Sequence, residues 1–404
     1  MKQKVVVIGH GYTSRLGVIR ALGHCGYEVI VVVITSYRRD GKTLNTTKPI
    51  DCYSKYLSEV YYCLRDSEQL LQLLRGKCTD KNQKVIIIPD SDFSAAVIDL
   101  NQEQLRDHFL FPHINHEKGA VVHWMDKVRQ KELAQAIGLN VVKADVIEIE
   151  NRHYTIPYSI QYPCFTKPLV TIEGGKRFLR RCSNESELHS ILELASCYGD
   201  IKVLVEEFKE IGTEYAVLGF SNGAEVVIPG IIQIIQMAHG GHYGVACKGK
   251  IIPVDGFESI VDQFKQFVLH VGYVGLFDID FYESDGVLYF GEMNLRFGGS
   301  GYAVTAKGVN LPAMLVRTLR NETIEDMNKC ITGSAVYVNE RMCMDDWYLG
   351  FMTTQEFNKI IESSDISFVR DKDDRVPNVA FLMEYHKRLM KRIILRILRK
   401  LNLR

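Results

Sequence analysis

The stretch VGLFDIDFYESDGVLYFGEMNLRFGG, residues 274–299, decides the reading of this chain. Two apolar runs flank Ser284-Asp285-Gly286, a tripeptide suited to a tight hairpin. Alternate side chains of a strand share a face, so Asp278 and Asp280 project together from the first arm. Glu292, Asn294 and Arg296 do the same from the second arm, and the turn brings Asp280 opposite Glu292. Like charges on facing strands repel, and a polar group out of water costs free energy unless something meets it. Hard oxygen donors, with few nitrogens or sulfurs among them, suit Mg²⁺, which keeps water and substrate phosphate in its shell. Two plainer arrangements stay open: a solvated strand edge, and an unmetallated acid cluster bridged by Arg296. Gly298, Gly299 and Gly301 follow at once, a glycine cluster leading into a loop.

Working outward, KVVVIG (4–9), a Gly-containing turn, a helix-like VIRALGHCG and YEVIVVVIT (27–35) make a strand–helix–strand unit. KVIIIPDSD (84–92) adds another buried strand ending in acids, so the first ~115 residues read as a doubly wound α/β domain. Gly9 and Gly11 hint at a dinucleotide fingerprint, but Ser14 stands where the third glycine belongs and no acid ends the second strand. A tight turn admitting close helix packing explains them better. Beyond MDKVRQKELAQAIGLN (125–140), a helix with a Gly stop, short strands dominate and the pattern turns α+β. Residues 183–197 read as a helix with a Ser N-cap.

Three further groups can carry chemistry. Lys167 sits at a strand end before a proline, and Gly174-Gly175-Lys176-Arg177 follows; an ammonium beside a glycine loop is what a polyphosphate requires, although a basic hairpin tip in solvent has the same look. VLVEEF (203–208) places Glu206, Glu207 and Phe208 at a strand end, with Glu214 seven residues after Glu207. An extended hinge of this kind can offer backbone groups to a purine edge while Glu214 accepts from ribose hydroxyls. MAHGGHYGVACKGK (237–250) is a Gly/His loop in which His239, His242 and Tyr243 are candidates for a carboxylate pocket, with a surface loop as the plainer reading.

Lys127 in MDK, Lys167 in TKP, the EGGK loop, the EEF…GTE hinge and FDIDFY…GEMNLRFGG occur in an order that resembles the ATP-grasp superfamily, D-aspartate ligase-type and carbamoyl-phosphate synthetase-like members above all. The resemblance covers roughly residues 1–320. It implies a Rossmann-like domain over 1–115, an ATP-grasp domain over 116–330 with a lid at about 145–205, and a segment over 331–385 completing that core. It also implies roles: Lys127 and Lys167 on the nucleotide phosphates, Gly174, Gly175 and Lys176 in a mobile lid, Glu206, Glu207 and Phe208 at adenine, and Glu214 at ribose. Asp280, Glu292 and Asn294 would ligate Mg²⁺ (or Mn²⁺), and Arg296 with Lys167 would stabilise the transferring phosphoryl group. The implied activity is an ATP-dependent ligation of an amino-acid-like carboxylate to an amine. Activation of another acid such as bicarbonate, or nucleotide binding without catalysis, are the alternatives. Relatives are commonly homodimers. The hinge KEIG runs one residue longer than usual, which leaves the purine contact open, and Asp278 can share the role of Asp280.

The formal net charge of zero hides an asymmetry. Residues 386–404 hold eight Lys/Arg and no acid, which leaves 41 bases against 49 acids over the remainder. On a helical wheel Leu389, Met390, Ile393, Ile394, Ile397, Leu398 and Leu401 gather on one half and Arg388, Lys391, Arg392, Arg396 and Arg399 on the other. That pattern fits either a helix on an anionic membrane surface or one packing its apolar face on the protein's own body. Elsewhere the bases form no stripe for nucleic acid. The ten scattered cysteines lack metal-ligand spacing, and the N-terminus reads as a strand rather than a signal peptide, so the cytoplasm, with a peripheral membrane contact at most, is the expected setting.

Overall fold

The computed structural model describes residues 2–10, 13–38, 41–170, 178–239, 244–324 and 327–400, without the side chains of 396, 397, 399 and 400. The first sheet is parallel throughout. Its strands β1 (Lys4–Gly9), β2 (Glu28–Thr35), β3 (Leu57–Leu64), β4 (Val85–Pro89) and β5 (Phe109–Leu110) lie in the order β3-β2-β1-β4-β5. Strands covered on both faces read as unbroken apolar runs. Val6 and Ile8 join one core with the helices Ser67–Lys77 and Asp92–Leu100, whereas Val5 and Val7 join a second core shared with the large sheet described below. The strand order reverses between β1 and β4, where open α/β sheets leave a crevice at the carboxyl ends of their strands.

Arg15 and Gly9 account for the turn after β1. The Arg15 guanidinium is fully buried; it donates to Gly9 O at 2.7 Å and pairs with Asp51 at 2.6 Å. A Cβ on Gly9 would stand 2.9 Å from the Asp90 Cβ, so the glycine admits the neighbouring strand end rather than a dinucleotide. Arg20, on the same helix Thr13–His24, donates to Phe368 O and Val369 O at 2.9 and 2.8 Å and pairs with Asp374 at 3.0 Å. The first domain is thereby tied to the end of the chain.

After β6 (His113–Ile114), which pairs with the large sheet, a small antiparallel sheet follows. Its strands are β7 (Ala144–Ile149), β8 (Cys164–Pro168), β9 (Arg180–Cys182) and β10 (Ile201–Glu207), ordered β7-β10-β8-β9. The helix Glu185–Ser196 covers one face through Leu188, Ile191, Leu192 and Ala195. Its cap is Asn184, not a serine: the Asn184 side chain accepts from Glu187 N at 3.0 Å, and the Glu187 carboxylate takes Ser183 N at 2.8 Å. Asn and Ser are equivalent caps in energy, and Glu187, three residues from Asn184, steadies the residue before the cap instead of closing a box.

The large sheet is mostly antiparallel. It comprises β11 (Thr213–Asn222), β12 (Val226–Val227), β13 (Ile231–Met237), β14 (Ala246–Ile252), β15 (Tyr273–Ser284), β16 (Val287–Asn294), β17 (Ala335–Val338) and β18 (Ile366–Ser367), in the order β16-β15-β11-β13-β14-β17-β18 with β12 on β11. Phe264 and Phe267 of the helix Glu258–Val271 pack on one face with Phe277 and Phe281. The other face turns Ala216, Leu218 and Ile232 toward the first domain.

Candidate functional site

The β15–β16 hairpin closes at Asp285, which takes a positive φ of 51°, and Gly286. Its register pairs Asp278 with Asn294 and Asp280 with Glu292, and a bulge follows Asp280. The bulge lies where the ladder carries its charges, a recurrent place for one. Asn294 Nδ2 donates to Asp280 Oδ2 at 3.3 Å. Arg296 fans out from the strand end: Nη2 donates to Asn294 Oδ1 at 3.2 Å, Nε to Asp92 Oδ1 at 3.1 Å, and Nη1 stands 3.7 Å from Asp278. Asp92 begins the helix after β4, so Arg296 reaches from the large sheet into the crevice of the first.

Lysines close the other side. Lys127 Nζ lies 3.2 Å from Glu292. Lys167 on β8 and Lys131, one turn after Lys127, both pair with Glu206, at 2.7 and 2.9 Å. Gln130 fixes this helix against β16 with two bonds to the Met293 backbone, at 2.7 and 2.8 Å. A cleft of about 280 Å³ opens between these elements, lined by Asp92, Lys127, Gln130, Glu292 and Asn294.

The electrostatics of neighbouring carboxyls diverge. Burial opposes ionisation of Glu292, but Lys127 and Lys167 outweigh it and hold its carboxyl at about 2. Asp280 is the most exposed acid of the group, so not loss of water alone but the neighbouring Asp278 and Glu292 carboxylates push it above the usual range. Burial raises Asp278 to about 6 despite Arg296. Burial likewise raises Asp90, at the end of β4, to about 7. Two acids that resist ionisation side by side, one with a buried Oδ1 lacking any hydrogen-bond partner, want a cation. The oxygen-only donors of Asp278, Asp280, Glu292 and Asn294 fit Mg²⁺. Lys127 draws the Glu292 carboxylate aside, and among the described residues the one tight trio of metal-capable atoms is instead His24, Asp371 and Asp373.

At the end of β10 the Glu206 carboxylate is consumed by its two lysines, and its backbone lies in the ladder between β7 and β8. The amide of Glu207 is bonded to Lys143 O at 2.9 Å and that of Phe208 to Pro163 O at 3.2 Å, so Lys209 carries the next amide along the strand end. Arg181 lies 4.7 Å above the Phe208 ring. Glu214, opposite Tyr282 on β11, is raised by burial and adds to the field at Asp280. Gly174, Gly175, Lys176, Arg177, His242 and Tyr243 lie outside the described residues. His239 donates its amide to the buried Asp346 at 2.9 Å, sets Nδ1 3.1 Å from it, and stacks on Phe351. Sequence reasoning missed Asp92, Lys131 and Gln130. The one signal for Lys131 was its place four residues after Lys127 on a helix.

A parallel sheet leading into a small and a large antiparallel sheet, with acids on a hairpin facing lysines across a cleft, is the ATP-grasp fold. No family model matches the chain. It is 26% identical over 206 residues to the carbamoyl phosphate synthase large chain of Gemmatimonas aurantiaca, a match that covers 50% of this chain and 19% of that protein. To the D-aspartate ligase of Enterococcus faecium it is 25% identical over 264 residues, covering 60% of this chain and 61% of the ligase. Among solved structures it resembles the biotin carboxylase domain of Hydrogenobacter thermophilus 2-oxoglutarate carboxylase with MgADP and bicarbonate, at a TM-score of 0.62 and 20% identity, covering 83% of this chain and 74% of that one. The chain thus spans less than two thirds of the length of both sequence relatives. ATP and Mg²⁺ are the general cofactors of the superfamily.

Proposed function

We propose that the protein is an ATP-dependent carboxylate–amine ligase. The observation that carries this reading is the ladder that sets Asp280 opposite Glu292 and Asp278 opposite Asn294 while Lys127 pairs with Glu292, Lys167 adds to the field there and Arg296 bonds Asn294. In this reading Asp280, Glu292 and Asn294, with Asp278 beside them, hold Mg²⁺, which when bound offsets the charge of the nucleotide phosphates. Lys127 and Lys167 neutralise phosphate oxygens from two sides. Residues 145–205 act as the lid, and the hinge after β10 receives adenine through its backbone. A substrate carboxylate oxygen attacks the γ-phosphorus, the bond to the β-phosphate bridging oxygen breaks, and an acyl phosphate and ADP form. Arg296, fixed by Asp92, stabilises the charge on the transferring group. An amine then attacks the acyl carbon, phosphate leaves, and the nitrogen loses a proton. Most of the rate comes from positioning and charge neutralisation, and exclusion of water protects the acyl phosphate.

The resemblance to D-aspartate ligase supports an amino acid as one substrate. ADP release measured across amino-acid pairs with Mg²⁺, followed by product mass spectrometry, tests the reading. An amide product formed with loss of one water supports it. ADP release that depends on bicarbonate alone would favour activation of that acid, and no turnover with any acid would leave nucleotide binding without catalysis.

A further inference from the structure

The C-terminal helix Val376–Lys400 lies on the body in the opposite sense from the one its apolar pattern suggests. Its inward side is aromatic and basic. Tyr385 stacks on Phe357 and lies 4.9 Å from Trp347; Arg392 caps Trp347 O at 2.6 Å with its guanidinium 4.6 Å over the indole; Arg388 pairs with Asp345 and Glu384. Leu389 packs with this cluster, but Met390, Ile393 and Ile394 of the apolar arc point to solvent. Val379, Met383, Met390 and Ile394 are 53, 69, 55 and 51% exposed, and with Leu382 and Ile393 they occupy about a third of the circumference. Leu349 and Phe351, at the end of the helix Glu340–Leu349 that Arg392 caps, are exposed as well. An apolar strip of this kind, interrupted once by the exposed His386, marks an interaction site.

Charge decides what covers it. Exposed Lys387 and Lys391 border the strip, and 386–404 supplies eight bases and no acid. A second copy packing this helix against its own counterpart would bring two such basic runs together. Anionic headgroups supply the missing charge, while the apolar strip enters the acyl boundary between them. No helix among the described residues is long and apolar enough to cross a membrane, which leaves the surface as the seat. We propose that the outward face of this helix lies on an anionic lipid surface and holds the body there through Arg388 and Arg392. The proposal is independent of the ligase reading.

Sedimentation of the full chain with phosphatidylcholine vesicles, with and without phosphatidylglycerol, tests it. The chain is expected to pellet with the anionic vesicles and to be released by high salt. Met390→Glu with Ile394→Glu is expected to lower partitioning about tenfold or more, and Lys387→Glu with Lys391→Glu to lower it with neutral apolar content unchanged. All four side chains are exposed, so the melting curve and ADP release stay as in the parent. Equal pelleting with and without anionic lipid would overturn the proposal. So would a dimer in sedimentation velocity that Met390→Glu with Ile394→Glu converts to monomer, since a second copy would then own the face.

Discussion

Asp280 and Glu292 are direct neighbours across the β15–β16 ladder, yet their carboxyls are driven in opposite directions, Glu292 down to about 2 and Asp280 well up. The difference lies in their company: Glu292 has Lys127 and Lys167, whereas Asp280 meets three acids, Asp278, Glu292 and Glu214, and an amide. Asp280 is therefore the group that gains most from a divalent cation. Asp280→Asn should retain the fold, with a melting temperature at or above the parent's in metal-free buffer, and lose the rise in melting temperature that Mg²⁺ with ATP gives. ADP release should fall by roughly two orders of magnitude. An unchanged Mg²⁺-ATP shift would remove Asp280 from the metal site.

Arg296 serves three acceptors at once, Asp278 and Asn294 on the large sheet and Asp92 on the helix after β4. A lysine keeps the charge but cannot fork to Asp92, Asn294 and Asp278 together. Arg296→Lys should lower ADP release by about 10²–10³-fold while the affinity for ATP changes little. A large loss of ATP affinity with turnover intact would assign Arg296 to binding alone.

Glu206 is 4% exposed and neutralises two lysines. Removing its charge strands both cations, a loss of about 3–5 kcal/mol in stability for a broken buried pair. Glu206→Gln should therefore depress the urea midpoint strongly. Restoration in the double variant Glu206→Gln with Lys131→Met would show that the cost is electrostatic; a double variant as unstable as the single one would point to lost packing instead.

Asp90 gives a pH signature. Its folded-state pKa, near 7, lies above the ordinary 3.8, so the folded chain holds a proton that the unfolded chain has released. This group's contribution is complete below about pH 4 and is lost as pH rises toward 7. Asp90→Asn removes the loss, and the stability difference between variant and parent should grow in the variant's favour by about 1 kcal/mol or more across that window. A difference that is flat with pH would mean that Asp90 is ionised throughout.

Gly298 stands where an added Cβ would lie 2.2 Å from Asp278 Oδ2. Gly298→Ala should cost about 1–3 kcal/mol through overpacking and displace the acid that Arg296 faces. Parent-like stability and turnover in this variant would show that the loop can give way.

How far the sequence could be read depended on the span of each contact. The hairpin was legible because alternation, an Asp-Gly turn and charged positions agreed within 26 residues, and the structure reproduces the pairing of Asp280 with Glu292. The parallel sheet was legible from unbroken Val/Ile runs. The Asp92–Arg296 bond was not, because its partners are 204 residues apart and Asp92 looked like an ordinary helix start. Lys131 was hidden by its own helix, whose few apolar positions gave no orientation. The two lysines on Glu206 show why a motif glutamate can be named for adenine while its carboxylate is spent elsewhere. The basic tail revealed that two faces exist but not which one meets the body; the aromatic cluster of Trp347, Phe357 and Tyr385 settles that, and it was invisible as a pattern.

Arg20 has a mechanical consequence. By grasping the main chain at Phe368 and Val369 together with Asp374, it bolts the start of the polypeptide to its far end with a buried clamp. The opening sheet and the large sheet also share one apolar core, so the clamp reinforces a seam that is already packed. The small sheet, by contrast, is joined to that body by two short runs of chain, the one that enters β7 and the one between β10 and β11, which lie side by side where Glu207 N meets Lys143 O.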